Sequence, residues 1–193
     1  MKDMVAELRA SIAATLLLAV LCCGIYPVVV WGIAQAAFPE KADGSLVNVD
    51  GKIAGSSLLA QGFTAPNYFH PRPSAAGQGY DAASSSGTNL GPTSKKLIET
   101  VAQRVSDYRS ENGLPPEARV PADAVTSSGS GLDPHISPSN ANLQAGRVAA
   151  ARGIPKEEVI RKIREHTEGR SLWILGEPRV NVLTLNLSLD GRM

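Results

Sequence analysis

Hydrophobic and polar positions divide the chain into regions with different rhythms. Residues 10–38 carry no charged side chain, and Leu16-Leu17-Leu18-Ala19-Val20-Leu21-Cys22-Cys23 forms the centre of that run. At about 1.5 Å per helical residue an uncharged run of this length reaches roughly 43 Å, more than the roughly 30 Å of bilayer hydrocarbon, so it is predicted to span with tilt or frayed ends. Residues 1–9 then form a short tail and residues 39–193 a single domain. The competing reading is a cleaved signal peptide, since Ala34-Gln35-Ala36 fits a small-residue cleavage pattern and processing after Ala36 would release a secreted binding protein. The apolar core exceeds the usual h-region of about 7–15 residues, and Asp3 and Glu7 dilute the basic n-region, so a retained anchor fits better. Lys2 and Arg9 before the span nearly balance Lys41 and Lys52 after it, which leaves orientation open. The simpler arrangement keeps the short tail inside and moves the domain outside.

Beyond the span, Leu46-Val47-Asn48-Val49 and Lys52-Ile53-Ala54 flank Asp50-Gly51, a pattern that predicts a β-hairpin. Residues 61–91 are rich in Gly, Pro, Ser and Asn and keep neither period, which predicts a long loop. Leu97, Ile98, Val101, Val105 and Tyr108 recur at helical spacing after a Thr93 or Ser94 cap, with Gly113 placed for a left-handed C-terminus. Pro115-Pro116 forces an extended connection. A second helix is expected from a Ser139 cap through Leu143, Val148 and Ala149 to Gly153. A third has Pro155 in its first turn and Val159, Ile160 and Ile163 inward. Leu183, Leu185, Leu187 and Leu189 alternate with Thr184, Asn186 and Ser188, which predicts a strand, with Trp173-Ile174-Leu175 as a shorter partner and Gly176-Glu177-Pro178 as the turn. The expectation is an α+β domain with a mostly antiparallel sheet, about three helices, and terminal strands meeting in one sheet.

Composition narrows function mainly by exclusion. A formal charge of +1 on 193 residues argues for neither nucleic acid nor an acidic substrate. Both cysteines, Cys22 and Cys23, lie inside the apolar run, so the domain after it holds together without disulfides. The run offers no ionisable group for an ion path, and its Ala and Gly positions permit close helix packing.

The stretch from Ser127 to Ser137 gathers hydroxyls, glycines, Asp133 and His135, and so invites a catalytic reading. A membrane-anchored serine hydrolase using Ser130 and His135 is the alternative function considered. However, Gly129-Ser130-Gly131 lacks the spacing of a nucleophile elbow, and Asp133 and His135 are separated by a single proline. His70 and His166 form no ligand spacing with His135, so no metal site is expected. Residues 129–131 could form an anion nest, although no Gly-Lys-Ser/Thr follows. The structural reading has Asp133 and Ser137 bonding nearby backbone amides around Pro134. Aromatics and a lone arginine within Asn67-Tyr68-Phe69-His70-Pro71-Arg72 are contact residues. Tyr68, Phe69, Arg72, Ser130, Asp133 and His135 are therefore the partner-contact candidates.

Several segments in order and spacing resemble the KdpC family, the small single-span subunit of the ATP-driven high-affinity potassium uptake complex of bacteria. They are Gly55-Ser56-x-Leu58 with Gln61 and Phe63, Tyr68 to Ala75, Asn89-Leu90-Gly91-Pro92, Val120-Pro121-x-Asp123, Ser128 to Ser137, Gln144 with Arg147-Val148-Ala149, and Leu175 to Val182. Ser85-Ser86-Gly87-Thr88 departs slightly from the family's Ser-Gly-Gly-Ser. The resemblance implies a non-catalytic subunit of the inner membrane with a periplasmic domain, and partners KdpA (the channel-like subunit), KdpB (the P-type ATPase subunit) and KdpF. No Asp-Lys-Thr-Gly phosphorylation motif occurs in the chain. The resemblance further implies a catalytic chaperone that raises the ATP affinity of the ATPase subunit, with Gln144 as a nucleotide contact. ATP would then be met only through the complex, and no tightly bound cofactor is expected.

Overall fold

A computed structural model describes residues 2–192. The chain forms two compact units that divide between Leu46 and Val47.

The first unit is helical. Helix α1 (Lys2–Ala19) continues through a π-helical turn (Val20–Ile25) into α2 (Tyr26–Ala37), followed by the short α3 (Pro39–Ala42). The π turn has a local cause. Pro27 has no N–H to donate, and its ring would collide with the carbonyl one turn earlier in a regular α-helix. The backbone widens instead, and the Tyr26 N–H bonds to the Leu21 carbonyl, five residues back. Residues Met4–Ala37 make 34 residues of apolar helix, long enough to cross a membrane, and none of its side chains is buried within the chain. The helix thus reaches further towards the N-terminus than the uncharged run, taking in Glu7 and Arg9.

The boundary falls at the first residue of a hairpin of β1 (Leu46–Val49) and β2 (Lys52–Ser56), the rest of which opens the second unit. Asp50 and Gly51 both have positive φ, 51° and 75°, as a tight hairpin turn of this hand requires. No helix or strand occurs among residues 57–94. Helix α4 (Lys95–Glu111) follows, with the Ser94 hydroxyl accepting from the Leu97 N–H. Gly113 at φ 61° lets the Leu114 N–H return to the Arg109 carbonyl. Of the expected apolar stripe, Ile98 faces solvent and Tyr108 is buried.

After the four-residue α5 (Ala122–Val125) come β3 (His135–Ile136), α6 (Pro138–Arg152) and α7 (Lys156–Glu165). The cap of α6 is Ser137, not Ser139: its hydroxyl accepts from the Asn140 N–H, and Pro138 takes the first helical position. Gly153 at φ 65° closes α6, and Pro155 sits at the cap of α7, one residue outside the first turn. Strands β4 (Thr167–Glu168) and β5 (Arg179–Asn181) complete an antiparallel sheet of order β3-β5-β4, in which Val180 faces both Ile136 and Thr167.

The C-terminal expectation is overturned. Residues 182–189 form helix α8 (Val182–Leu189), not a strand. Asn181 caps it by accepting from the Thr184 N–H. Val182, Leu183, Leu185, Asn186, Leu187 and Ser188 are all buried, so the helix is enclosed on nearly every side. An enclosed helix needs no polar stripe, and an alternating leucine pattern then loses its power to distinguish strand from helix. The remaining hydroxyls are absorbed by the helix itself, Ser188 donating to Leu185 O and Thr184 to Asn181 O. Trp173-Ile174-Leu175 is likewise no strand but the exposed tip of the β4–β5 connection. The terminal strands do not meet: β1 and β2 form a separate two-stranded sheet.

The architecture is α+β, one N-terminal apolar helix followed by a domain with antiparallel sheets and several helices. Its core is built from Phe69, Ile136, Ala141, Ala145, Val148, Ala149, Val159, Ile163, Val180, Val182 and Leu185.

Candidate partner-contact site

The long loop is irregular in backbone yet held firmly from beneath. Phe69 is fully buried in the core (0% exposed), and a buried residue outside secondary structure must still satisfy its backbone polar groups. The Asn186 side chain of α8 does this in both directions. Its Oδ1 accepts from the Phe69 N–H at 2.8 Å and its Nδ2 donates to the Phe69 carbonyl at 3.0 Å. Gln144 of α6 repeats the arrangement on the next residue. Its Oε1 accepts from the His70 N–H at 2.8 Å and its Nε2 donates to the His70 carbonyl at 3.0 Å. Two carboxamides therefore grip the backbone N–H and carbonyl of two successive residues, each as a paired strand residue would.

Gln144 is 1% exposed and its amide is fully engaged, since Nε2 also donates to Asn140 Oδ1 and Oε1 also accepts from Arg147 Nη2. The network extends outward from it. Tyr108 donates its hydroxyl to Asn140 Oδ1, and the Asp123 carboxylate accepts from Asn140 Nδ2, the Ser137 hydroxyl and the Ser137 N–H. Arg147 donates to Asn112 Oδ1 and to the carbonyls of Pro66 and Tyr68. Burial and the Asp123 charge push the Tyr108 phenol well above its ordinary range. A cavity of about 220 Å³ opens beside this network, with His70, Tyr80, Arg104, Glu111 and Gln144 among its walls. The His70 ring bridges Glu111 at 2.7 Å and the Ala65 carbonyl at 3.0 Å. That hydrogen bond from His70, helped by the Arg147 charge, holds the Glu111 carboxyl below its usual value against the opposing effect of burial.

Tyr68 is half-buried. Its hydroxyl donates to Asp190 Oδ2 at 3.1 Å, and the Arg152 guanidinium lies 5.1 Å from its ring centre. Arg152 binds Asp190 at 2.8 Å and the carbonyls of Asn67 and Leu189, joining the loop to the end of α8.

The Ser127 to Ser137 stretch is tied to the same loop. Ser74 donates to the Gly131 carbonyl and accepts from the N–H groups of Ala76 and Tyr80. The Ser86 N–H and the Ser85 hydroxyl donate to the Ser130 carbonyl. Gly131 has φ 68°, and a Cβ there would stand 2.5 Å from the Ser86 carbonyl oxygen. Only glycine permits that approach. Arg72 Nη1 reaches Asp133 Oδ2 at 3.0 Å, while Asp133 Oδ1 accepts from the His135 N–H at 3.0 Å and lies 3.4 Å from His135 Nδ1. Burial alone would raise the Asp133 carboxyl, but the hydrogen bonds from His135 and Arg72 outweigh it and hold the group below its ordinary value. Arg72, Asp133, His135 and Arg179 line an open groove of about 590 Å³.

Ser130 Oγ accepts from the Leu132 N–H and pairs with Ser128 Oγ, and His135 is oriented on Asp133 rather than on Ser130. Ser130 and His135 are thus not brought together as acyl transfer requires. Among the described residues no group of three His, Cys, Asp or Glu side chains could hold a metal. Of the contact candidates, Arg72, Asp133 and His135 converge on one groove, Ser130 is exposed nearby, and Tyr68 lies at a separate edge beside Asp190. Phe69 is a core residue and presents no ring to a partner. Asp123, Asn140, Asn181 and Asn186 follow no spacing that marks a functional residue, yet they carry much of the polar network. Asn181 also donates to the Ser57 carbonyl. The one local signal was the interruption of an apolar run by Asn186, a polar residue that burial obliges to find partners.

The chain matches the family described as "KdpC: K+-transporting ATPase, c chain" over residues 8–191. It is 55% identical over 190 residues to the potassium-transporting ATPase KdpC subunit of Nitratidesulfovibrio vulgaris, covering 97% of this chain and 95% of that protein. The protein of the same description from Mycobacterium bovis is 58% identical over 166 residues, 86% of this chain and 88% of the relative. That from Koribacter versatilis is 49% identical over 191 residues, 98% and 95%. With agreement along nearly its whole length, this chain belongs to the KdpC family of potassium-transporting ATPase subunits.

Proposed function

We propose that the chain is a non-catalytic subunit that assembles or stabilises a potassium-transporting ATPase of the inner membrane, whose catalytic subunit is another chain. Its partners on this reading are KdpA, KdpB and KdpF, with the apolar helix among their membrane helices and the α+β domain on the periplasmic side. The observation that carries the reading is the grip of Asn186 and Gln144 on Phe69 and His70. A loop without secondary structure, pinned at its middle and tied to a second loop through Ser74 and Gly131, presents a rigid irregular surface suited to recognising another protein. The groove lined by Arg72, Asp133 and His135 offers directional polar groups on that surface.

The family role of raising ATP affinity is compatible with this reading if it acts through the conformation of the ATPase subunit. Gln144 is already fully bonded inside the domain, which favours a structural role for it over direct nucleotide contact. The test is co-purification in mild detergent. Affinity-tagged chain should bring down the other subunits, and the groove variant Arg72→Glu with His135→Ala should bring down markedly less per folded chain, the folded fraction being measured by circular dichroism because both side chains also support Asp133. Undiminished recovery would remove the groove from the interface. Recovery of the wild-type chain alone would remove the assembly role.

A further inference from the structure

Four consecutive apolar side chains stand in solvent at the β4–β5 tip: Leu172, Trp173, Ile174 and Leu175, with Trp173 91% exposed. Contiguous exposed apolar groups of this size mark a contact surface rather than ordinary surface variation. The backbone is built to present them. Ser171 and Leu175 exchange both backbone hydrogen bonds, at 2.8 and 2.9 Å, while Leu172 and Trp173 adopt positive φ, 51° and 70°. The N–H groups of Trp173 and Ile174 are taken up by the carbonyls of Arg170 and Ser171, so these two donors are satisfied within the turn. Directly beneath, the charges are neutralised in pairs, Arg170 with Glu177 at 2.7 Å and Arg179 with Glu168 at 2.8 Å.

We propose that the tip at residues 172–175 is a lipid-contacting wedge that seats in the interfacial region of the bilayer. Three features select lipid over a protein pocket. The chain carries its own apolar helix of membrane-crossing length, so a bilayer is a permanently tethered neighbour of the domain. The tip is convex and contains no polar side chain to give directional recognition, and its central residue is tryptophan, the side chain most enriched where apolar and wet regions meet. Every charge immediately below is already paired, so shallow insertion strips no lone charge of water. The proposal rests on the reading of Met4–Ala37 as a span.

The chain has two tryptophans, Trp31 and Trp173, which makes both readings separately testable. Full-length Trp31→Phe chain, reconstituted in phosphatidylcholine vesicles, isolates Trp173, and Trp173→Phe isolates Trp31. With lipids brominated near the headgroup, Trp173 should lose a clear share of its emission, since interfacial tryptophans sit at headgroup level, and aqueous iodide should quench it weakly. Strong iodide quenching with no effect of bromolipid overturns the wedge. Protection from iodide that appears only when the other ATPase subunits are present, or only at high protein density, assigns the tip to a protein partner or a second copy and also overturns it. Trp31 serves as the control for the span. If bromolipid quenches Trp31 but not Trp173, only the wedge fails, whereas failure to quench Trp31 removes the anchor on which it rests.

Discussion

Asn186 and Phe69, 117 residues apart in sequence, exchange two hydrogen bonds between one side-chain amide and the backbone N–H and carbonyl of one residue. That pairing lets an aromatic residue in an irregular loop enter the core without leaving backbone groups unsatisfied. It also makes α8 the scaffold on which the loop surface depends.

Replacing Asn186 with alanine should therefore destabilise the domain well beyond the loss of a surface contact. Two buried backbone groups would lose their partners, for about 2–4 kcal/mol in all, which corresponds to a fall in melting temperature of roughly 5–15 °C for a chain of this size. Thermal denaturation of the detergent-solubilised chain, followed by circular dichroism, reads this directly. A change within a degree of wild type would show that the amide does not support the loop.

Gln144 separates a structural from a nucleotide-binding role. If its amide serves mainly to hold His70 and Asn140, Gln144→Ala should lower the melting temperature by a similar margin with no nucleotide present. If it served only as an ATP contact, stability without ATP would be unchanged and the effect would appear only in the ATP dependence of the assembled ATPase. Measuring both on one variant decides between them.

Gly131→Ala tests the attachment of the two loops. The left-handed backbone costs about 1–2 kcal/mol with a Cβ present, and the collision with the Ser86 carbonyl adds to it. The result should be a lower melting temperature and faster proteolysis within residues 74–87. Unchanged proteolysis there would indicate that the loops are not joined through this contact.

Acid should weaken the domain in a way that Asp133 and Glu111 explain. Both carboxyls titrate below their ordinary values of 3.8 and 4.5 in the folded chain. The folded state therefore binds fewer protons than the unfolded state in the window below those values. The stabilisation is complete above them and is lost as pH falls through the folded-state values. A series of melts from about pH 6 down to about pH 3 should show the loss, and Asp133→Asn should flatten its steepest part. An Asp133→Asn curve parallel to wild type over the whole range would refute the assignment.

Local signals were legible where their cause is local. Asp50-Gly51, Ser94, Gly113 and Gly153 act through hydrogen bonds or backbone conformations within a few residues, and each stands where the pattern placed it. The shift of the α6 cap from Ser139 to Ser137 is a near miss of the same kind. Pro138 between them can begin a helix but cannot be overlooked as its first residue. Recognition of the family came from the order of many short segments and located Gln144 and Asp123 without revealing what their side chains hold.

By itself the sequence determined the apolar helix, the α+β class, the hairpin, the extent of α4 and the start of α7 to within a residue or two, because apolar period and capping chemistry are written in neighbouring residues. Only the tertiary structure decided that the last leucine-rich segment is a helix, that Phe69 faces inward, that His135 turns to Asp133 rather than to Ser130, and that residues 172–175 face solvent. Those outcomes depend on enclosure from several sides and on hydrogen-bond partners 74 and 117 residues away, and neither quantity leaves a periodic trace along the chain.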